Sequence, residues 1–251
     1  MRELLRSLGW SNTKSAFLAA IFASVPLLFS NAFLYGFPMG YAGLFTQMAQ
    51  QIADANFALP SMSPFYGPGG IPFAYPPLGL YLLAVFIKLT GKYYIFLRFL
   101  PPIFSLIAVG LTFFLAQKFF KQPFLSMLIA VLTATSLDLY VAHTWSSGIV
   151  RAPAFIFTIL VLYFYSPNPD ERSLQNIFLS GLFFGLAAIS HLAYALFCFF
   201  WIVVSSISFH DWKKTVVDPF LAGLTALAVA SIWVVSVAVR YGWNVFFGAF
   251  N

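Results

Sequence analysis

Long apolar segments, almost free of charged residues, fill most of this 251-residue chain. Segment 177–209 contains no Asp, Glu, Lys or Arg, and segment 219–239 contains none either. A membrane-spanning helix needs about 20 consecutive apolar residues, so segments of this kind predict transmembrane helices. The pattern therefore indicates an all-α fold, a polytopic transmembrane helical bundle.

The lengths of the apolar segments predict about seven spans. Segment 177–209 would be roughly 50 Å long as a single helix, too long for one crossing. We therefore divide it near Ser190 and His191 into two spans, joined to the preceding span by a solvated turn over 166–176. The other expected spans are 15–35, 99–117, 123–141, 149–165 and 219–239.

The connection 36–98 is too long for a simple loop, and long structured loops are usually functional. Segment 41–54 has apolar side chains at helical spacing on one face, which predicts an amphipathic helix on the membrane surface. A stretch rich in Pro and Gly follows over 60–72. Segment 75–87 is apolar but short, so we expect it to be re-entrant or interfacial rather than spanning.

The composition agrees with a single transmembrane domain over 1–251. Hydrophobic residues make up 61% of the chain, charged residues 8%, and the mean hydropathy is +0.88, whereas soluble domains carry about 25% charged residues. The net charge of +6 comes from Lys and Arg at the ends of apolar segments, where they meet lipid headgroups. The expected partner is therefore membrane lipid and not nucleic acid.

Sidedness does not follow from the basic residues alone. Eight lie on one side and five on the other whether seven or eight spans are drawn, so segment length decides for seven. With a cytoplasmic N-terminus, the connection 36–98 and the neighbourhoods of His143 and His191 face outward. The sequence thus predicts a multi-pass protein of the plasma membrane whose unusual polar residues lie on the extracytoplasmic side.

Two motifs in this arrangement carry a resemblance to a known superfamily. Tyr75-Pro76-Pro77-Leu78 opens the short apolar helix, and Arg98-Phe99-Leu100-Pro101 opens the second span. With the surface helix and the Pro/Gly-rich stretch before them, they resemble the GT-C superfamily of integral membrane glycosyltransferases. The resemblance implies transfer of a sugar from a polyprenyl-phosphate donor to an acceptor at the extracytoplasmic face.

The chain departs from that superfamily at one important place. Members usually carry an acidic residue just after the first span, whereas this chain has Met39-Gly40-Tyr41 there and the nearest acid is Asp54. Members are also commonly longer. A fragment, a divergent enzyme and a non-catalytic relative all remain open, as do the sugar, the acceptor and the oligomeric state.

Asp138 is the best remaining candidate for a catalytic base, because a carboxylate near the end of a span is costly unless it is paired or functional. Arg151 and Arg98 are candidates for binding the carrier phosphate, which a guanidinium can grip with two hydrogen bonds. The alternatives are a headgroup-level carboxylate and two interfacial anchors.

Tyr75 and His143 complete the expected substrate-binding set. Tyr75 would stack on a sugar ring or belong to the aromatic belt of the interface, and His143 would face the same side as Asp138. No metal-ligand spacing is present, so no metal site is predicted, although a divalent metal held by the scattered His and Asp residues is left open.

The leading hypothesis is therefore a glycosyltransferase of the GT-C type. The alternatives are a membrane subunit that binds a lipid phosphate without catalysis, and a transporter. Paired broken helices in matching halves, which would favour a transporter, are not evident. The sequence contains no phosphate-binding Gly loop and no Cys/His metal pattern.

Overall fold

The computed structural model describes residues 12–64, 69–145, 148–207 and 212–248. Arg2 and Arg6, which contribute to the expected cytoplasmic charge, lie outside the described residues, as do Phe65 and Tyr66 of the Pro/Gly-rich stretch.

The described chain is almost entirely helical, which confirms the all-α expectation. Two residues of β1 (Met62–Ser63) pair antiparallel with β2 (Ile71–Pro72) inside the first long connection. The helices are α1 Thr13–Leu34, α2 Ala42–Asp54, α3 Leu78–Thr90, α4 Tyr93–Phe120, α5 Pro123–Thr135, α6 Gly148–Phe164, α7 Leu174–Ala188, α8 Leu192–Ser206, α9 Trp212–Tyr241 and α10 Asn244–Gly248.

Seven helices run between two ends of the bundle, which we call the loop pole and the opposite pole. The loop pole carries α2, the β-hairpin and α3. There the Asn31 side chain at the end of α1 donates to Thr144 Oγ1 over 3.1 Å, and the Leu78 amide donates to the Ile189 carbonyl over 3.0 Å. Helices α1, α5, α7 and α9 run towards this pole, and α4, α6 and α8 run away from it.

The seven helices differ in length. Within the described residues, three are long and apolar enough to cross a membrane by length and composition: Thr13–Leu34, Tyr93–Phe120 and Lys214–Tyr241. The other four, α5 to α8, have between 13 and 17 residues. Six of the seven expected spans each correspond to one helix, and segment 177–209 does break between Ala188 and Leu192.

Helix α4 begins at Tyr93, six residues before the predicted start of the second span. Pro101 and Pro102 therefore lie inside the helix, and Arg98 is not at its opening. The turns before the prolines are stabilised by packing against α3, where Phe96 stacks on Phe86 with ring centroids 3.9 Å apart. The prediction treated Arg98 and Pro101 as a boundary, which tertiary contacts override.

The third expected span, 123–141, is not one continuous α-helix. Helix α5 ends at Thr135, because Ser136 is extended and its hydroxyl binds the Thr133 carbonyl over 2.8 Å. A π-helical turn, Leu139–His143, follows. Such turns are rare and frequently occur at functional sites.

Helices α7 and α9 pack closely because glycines face α9. A Cβ on Gly185 would lie 2.6 Å from Val229 Cβ, and one on Gly181 would lie 2.5 Å from the Ala222 carbonyl. Small residues at this spacing let helix backbones approach one another in membranes. This contact fixes the half of the bundle on which α8 rests.

The opposite pole is closed by Arg172, which is 8% exposed although the turn containing it was expected to be solvated. Its guanidinium donates to the carbonyls of Ser166 (2.6 Å), Pro167 (3.2 Å) and Ser205. It also lies 3.4 Å from an oxygen of Asp218 at the start of α9. One side chain thus joins the turn before α7, the end of α8 and the beginning of α9.

Candidate functional site

A cavity of about 800 Å³ opens at the loop pole between the π-turn, α6 and α8. We call it cavity A. Its polar residues gather at one end and come from all three elements: Asp138 and His143 from the π-turn region, Arg151 from α6, and His191 and Tyr194 from the start of α8. Three of the predicted site residues, Asp138, Arg151 and His143, therefore share one cavity.

The rest of cavity A is apolar and follows α6 and α8 towards the opposite pole. From Arg151 to Leu162 the lining extends along α6 by eleven residues, about 16 Å at the helical rise. The large apolar residues that line this part are Phe155, Leu162, Phe197, Phe200, Trp201 and Val204. A polar head followed by a long apolar groove matches the shape of an amphipathic lipid.

A network of hydroxyl and amide groups holds the π-turn against α1. Tyr140 Oη lies 3.1 Å from Ser30 Oγ, and Thr144 accepts the hydrogen bond from Asn31. On the other side of the turn Gly148 leaves no room for a Cβ, because that atom would overlap the His143 carbonyl. The turn, and with it Asp138 and His143, is therefore fixed from both sides.

Asp138 lies at the N-terminal end of the π-turn with a side chain that is 72% exposed. Its carboxylate is 3.9 Å from His143 Nε2. The carboxylate is therefore accessible to a molecule in cavity A.

His143 is 1% exposed and packs face to face with Phe155, with ring centroids 5.4 Å apart. Its Nε2 shares a hydrogen bond with Tyr194 Oη. Burial lowers the pKa of His143 from 6.5 to about 4, with Arg151 acting in the same direction and Asp138 against it. The ring is thus neutral at physiological pH.

Arg151 lies in the first turn of α6, and its side chain is half-buried in cavity A. Within the described part of the chain, no hydrogen bond or ion pair holds its guanidinium. A guanidinium has five N–H donors and cannot lose its charge. The structure therefore leaves a fixed positive charge with its donors unoccupied at the head of the cavity.

A second cavity of about 650 Å³, cavity B, lies between the first long connection and the C-terminal segment. Its walls come from α2, the segment before α3, the start of α8 and α10. His191 lines cavity B as well as cavity A. Burial lowers the pKa of His191, with Arg151 acting in the same direction.

The remaining predicted substrate-binding residues lie outside cavity A. Tyr75 lines cavity B, where it packs against Phe45 with ring centroids 5.8 Å apart, and burial raises its pKa. Arg98 donates to the Ala32 carbonyl. The structure therefore brings Asp138, Arg151 and His143 together and places Tyr75 and Arg98 elsewhere at the same pole.

The structure gives no geometry for a metal ion among the described residues. No group of three or more His, Cys, Asp and Glu side chains is close enough to hold one. Asp54, considered with the two histidines as a ligand, is instead bonded to Gln50 over 2.8 Å on the exposed side of α2.

Sequence reasoning did not identify Tyr194, and it gave His191 no role in substrate binding. Tyr194 lies within an apolar span, and its partner His143 is 51 residues earlier in the chain. The signal for His191 is its position at the break in segment 177–209, since a polar residue at a helix reversal is held at the rim of the bundle. Its place between two cavities follows only from the tertiary arrangement.

The chain matches the family model of dolichyl-phosphate-mannose-protein mannosyltransferases over residues 74–235. The match begins just before Tyr75-Pro76-Pro77 and ends in α9, so it includes every residue that lines cavity A. No curated protein and no solved structure matches the chain. Because the family model covers about two thirds of the residues, the chain belongs to the dolichyl-phosphate-mannose-protein mannosyltransferase family, a family of GT-C membrane glycosyltransferases.

Proposed function

We propose that this membrane glycosyltransferase takes its sugar from a polyprenyl-phosphate donor bound in cavity A and transfers it to an acceptor hydroxyl at the loop pole. The observation that carries the proposal is the unoccupied guanidinium of Arg151 at the head of a long apolar groove. The guanidinium would bind the phosphate. The apolar groove would hold the polyprenyl chain against the aromatic rings of α6 and α8.

In the proposed reaction the acceptor oxygen attacks the anomeric carbon of the sugar. The bond from that carbon to the phosphate oxygen breaks, and its electron pair stays on the polyprenyl phosphate. Arg151 stabilises the charge that develops on the phosphate. The acceptor proton passes to Asp138, whose exposed carboxylate lines the same cavity as Arg151.

His143 and Tyr194 support this arrangement from behind. Because the His143 imidazole is neutral, it adds no second positive charge that would compete with Arg151 for the phosphate. The hydrogen bond between His143 Nε2 and Tyr194 Oη keeps the ring in place across the gap between the π-turn and α8. Arg98 lies outside the cavity, and we propose that it secures α4 to the end of α1 through the Ala32 carbonyl.

The test uses the full chain in lipid nanodiscs with radiolabelled polyprenyl-phosphate mannose. Asp138→Asn should reduce transfer by about 10²- to 10⁴-fold, the usual contribution of a general base, while donor binding stays at the parent level. Unreduced transfer by Asp138→Asn would refute the assignment of the base. Absence of donor binding by the parent protein would refute the proposed function as a whole.

A second candidate function is a non-catalytic subunit that binds the lipid phosphate. The observation in its favour is the segment after α1, where the superfamily's usual acid is replaced by Met39-Gly40-Tyr41. It predicts donor binding that depends on Arg151 together with no transfer to any acceptor in a membrane extract. The same two measurements, binding and transfer, therefore separate the two functions.

We further propose that the loop pole is extracytoplasmic and the N-terminus cytoplasmic, as expected for a donor presented in the outer leaflet. Ala55 at the loop pole and Gln175 at the opposite pole are both exposed. Single cysteines at these positions, in a Cys198→Ala background, should react with a membrane-impermeant maleimide from opposite sides. Labelling of both from the same side would contradict this topology.

A further inference from the structure

Cavities A and B meet at a single side chain. Among the residues described as lining them, His191 alone belongs to both. A transfer between two bound molecules requires two sites that touch at the reacting atoms. If the donor occupies cavity A, the natural place for the second molecule is the cavity that adjoins it at His191.

The hydrogen-bonding capacity of His191 is not used within the described protein. Its Nδ1 is buried and has no partner there, and the ring meets Tyr194 edge to face with centroids 5.5 Å apart. A buried polar nitrogen without a partner is costly. His191 is also the residue before the first turn of α8, yet its side chain does not cap that helix.

The walls of cavity B differ in chemistry from those of cavity A. Apart from His191 and the phenol of Tyr75, its described lining residues carry no titratable side chain. The apolar lining residues include Leu44, Met48, Ile71, Leu192, Val245 and Phe246. No Lys or Arg among these residues is available to bind a phosphate group, so the cavity suits a molecule with an apolar body.

Cavity B has walls that the tertiary structure holds in place. At the end of α9, Arg240 donates to the carbonyls of Leu59 and Pro60 over 2.6 and 3.2 Å, and Tyr241 donates to the carbonyl of Ser61. These bonds fasten the C-terminal wall to the first connection. The walls of cavity B are therefore connected to one another by hydrogen bonds.

We infer that cavity B receives the acceptor, that this acceptor is a membrane amphiphile with an apolar body, and that His191 contacts its hydroxyl at the boundary with cavity A. The inference rests on the proposed function, since it takes cavity A as the donor site. His191 would orient the acceptor hydroxyl towards the sugar, and the proton would still pass to Asp138.

The test is a matched pair of substitutions that fill one cavity each. Ala74→Trp places an indole in cavity B, and Ala193→Trp places one in cavity A. The acceptor probe is a photoreactive dodecyl glucoside, and the donor probe is radiolabelled polyprenyl-phosphate mannose. Both are measured on the full chain in nanodiscs, so that each variant retains one binding activity as proof of folding.

Ala74→Trp should lose photolabelling by at least about tenfold and keep donor binding, whereas Ala193→Trp should do the reverse. His191→Ala should weaken photolabelling and raise the KM for the glucoside, and His191→Gln should restore part of the loss. Equal photolabelling of the parent and Ala74→Trp would overturn the inference.

Absence of photolabelling in the parent protein, or transfer only to a hydrophilic threonine-containing peptide, would also overturn it. Failure of the donor probe alone, with photolabelling intact, would instead count against the proposed function. The two failures are therefore distinguishable within the same set of experiments.

Discussion

Arg172 at the opposite pole and Arg151 at the loop pole make opposite use of the same side chain. At the opposite pole the guanidinium of Arg172 is buried and is held by three backbone carbonyls and a carboxylate. At the loop pole the guanidinium of Arg151 faces a cavity, and no described residue bonds to it. The first arrangement uses four of the five N–H donors inside the protein, and the second leaves all five available to another molecule.

The carboxylate of Asp138 differs in the same way from two carboxylates at the opposite pole. At the opposite pole Asp170 and Glu171 each have a partner, Lys214 at 2.9 Å and Ser166 at 2.8 Å. At the loop pole the neutral His143 at 3.9 Å is the one partner of Asp138 among the described residues. Charges that are neutralised internally stabilise a fold, whereas charges kept without such neutralisation in a cavity indicate binding or catalysis.

The largest expected difference is between the stabilities of two variants in which one or the other arginine is replaced by alanine. Arg172→Ala should lower the free energy of unfolding by about 3–5 kcal/mol, because it removes one partner of a buried charge network. Arg151→Ala should leave it within about 0.5 kcal/mol of the parent value, because no internal bond is lost. Thermal and denaturant unfolding in detergent measures both, and comparable losses would erase the distinction between the poles.

The same pair of variants separates the poles by function. Arg151→Ala should weaken donor binding and reduce transfer by about 10²-fold, the effect of losing one well-placed charged donor. Arg151→Lys should recover only part, since an ammonium group lacks the planar pair of donors. Titration with the radiolabelled donor gives the result, and a Lys variant equal to the parent would argue against two-point contact.

A smaller effect is expected at the contact between α7 and α9, which supports the α8 wall of cavity A. Gly185→Ala should destabilise the protein by about 1–3 kcal/mol, because its Cβ would lie 2.6 Å from Val229 Cβ on α9. Gly223 is the matched control: it is also helical, and a Cβ there meets nothing within 4 Å. Gly223→Ala should therefore be neutral or slightly stabilising, and equal losses in both would show that the contact between α7 and α9 is loose.

The smallest effect concerns pH. Burial holds the pKa of His143 at about 4 in the folded protein, below its ordinary value of 6.5. Between these values the unfolded chain binds a proton that the folded chain does not, so the stability associated with the neutral ring falls as pH falls from 6.5 towards 4. His191, whose pKa burial also lowers, acts in the same direction.

The measurement is the Tm between pH 7 and pH 4 for the parent and for His143→Gln. The variant should lose less Tm over this window than the parent, because it lacks one of the titrating groups. Identical profiles would mean that His143 is hydrated and titrates normally. Asp138 would then lack the buried, neutral imidazole beside it that distinguishes it from the paired carboxylates of the opposite pole.

Much of the fold could be predicted because the apolar segments and their lengths determine it. The division of segment 177–209 followed from the thickness of a bilayer, and the chain does reverse between Ala188 and Leu192. The amphipathic helix over 41–54 followed from its periodicity and corresponds to α2. The start of α4 did not follow, because packing against α3 extends the helix past two prolines.

The grouping of Asp138 and Arg151 was within reach of the sequence, since both were assigned to the same side of the membrane. The partners of these residues were not within reach. Arg172 stands in a turn rich in polar and turn-forming residues, and its burial depends on α8 and α9 reaching over it. His143 meets Tyr194 only because α8 folds back across α6, which no local pattern records.

The main-chain bond from Leu78 to Ile189 has a mechanical consequence. It joins the first turn of α3 to the reversal that carries His191, so a displacement of either piece of backbone strains a bond to the other. A molecule that displaces α3 on its way into cavity B would therefore also shift the backbone that carries the imidazole. Entry of that molecule and orientation of His191 would then be coupled through the peptide group of Ile189.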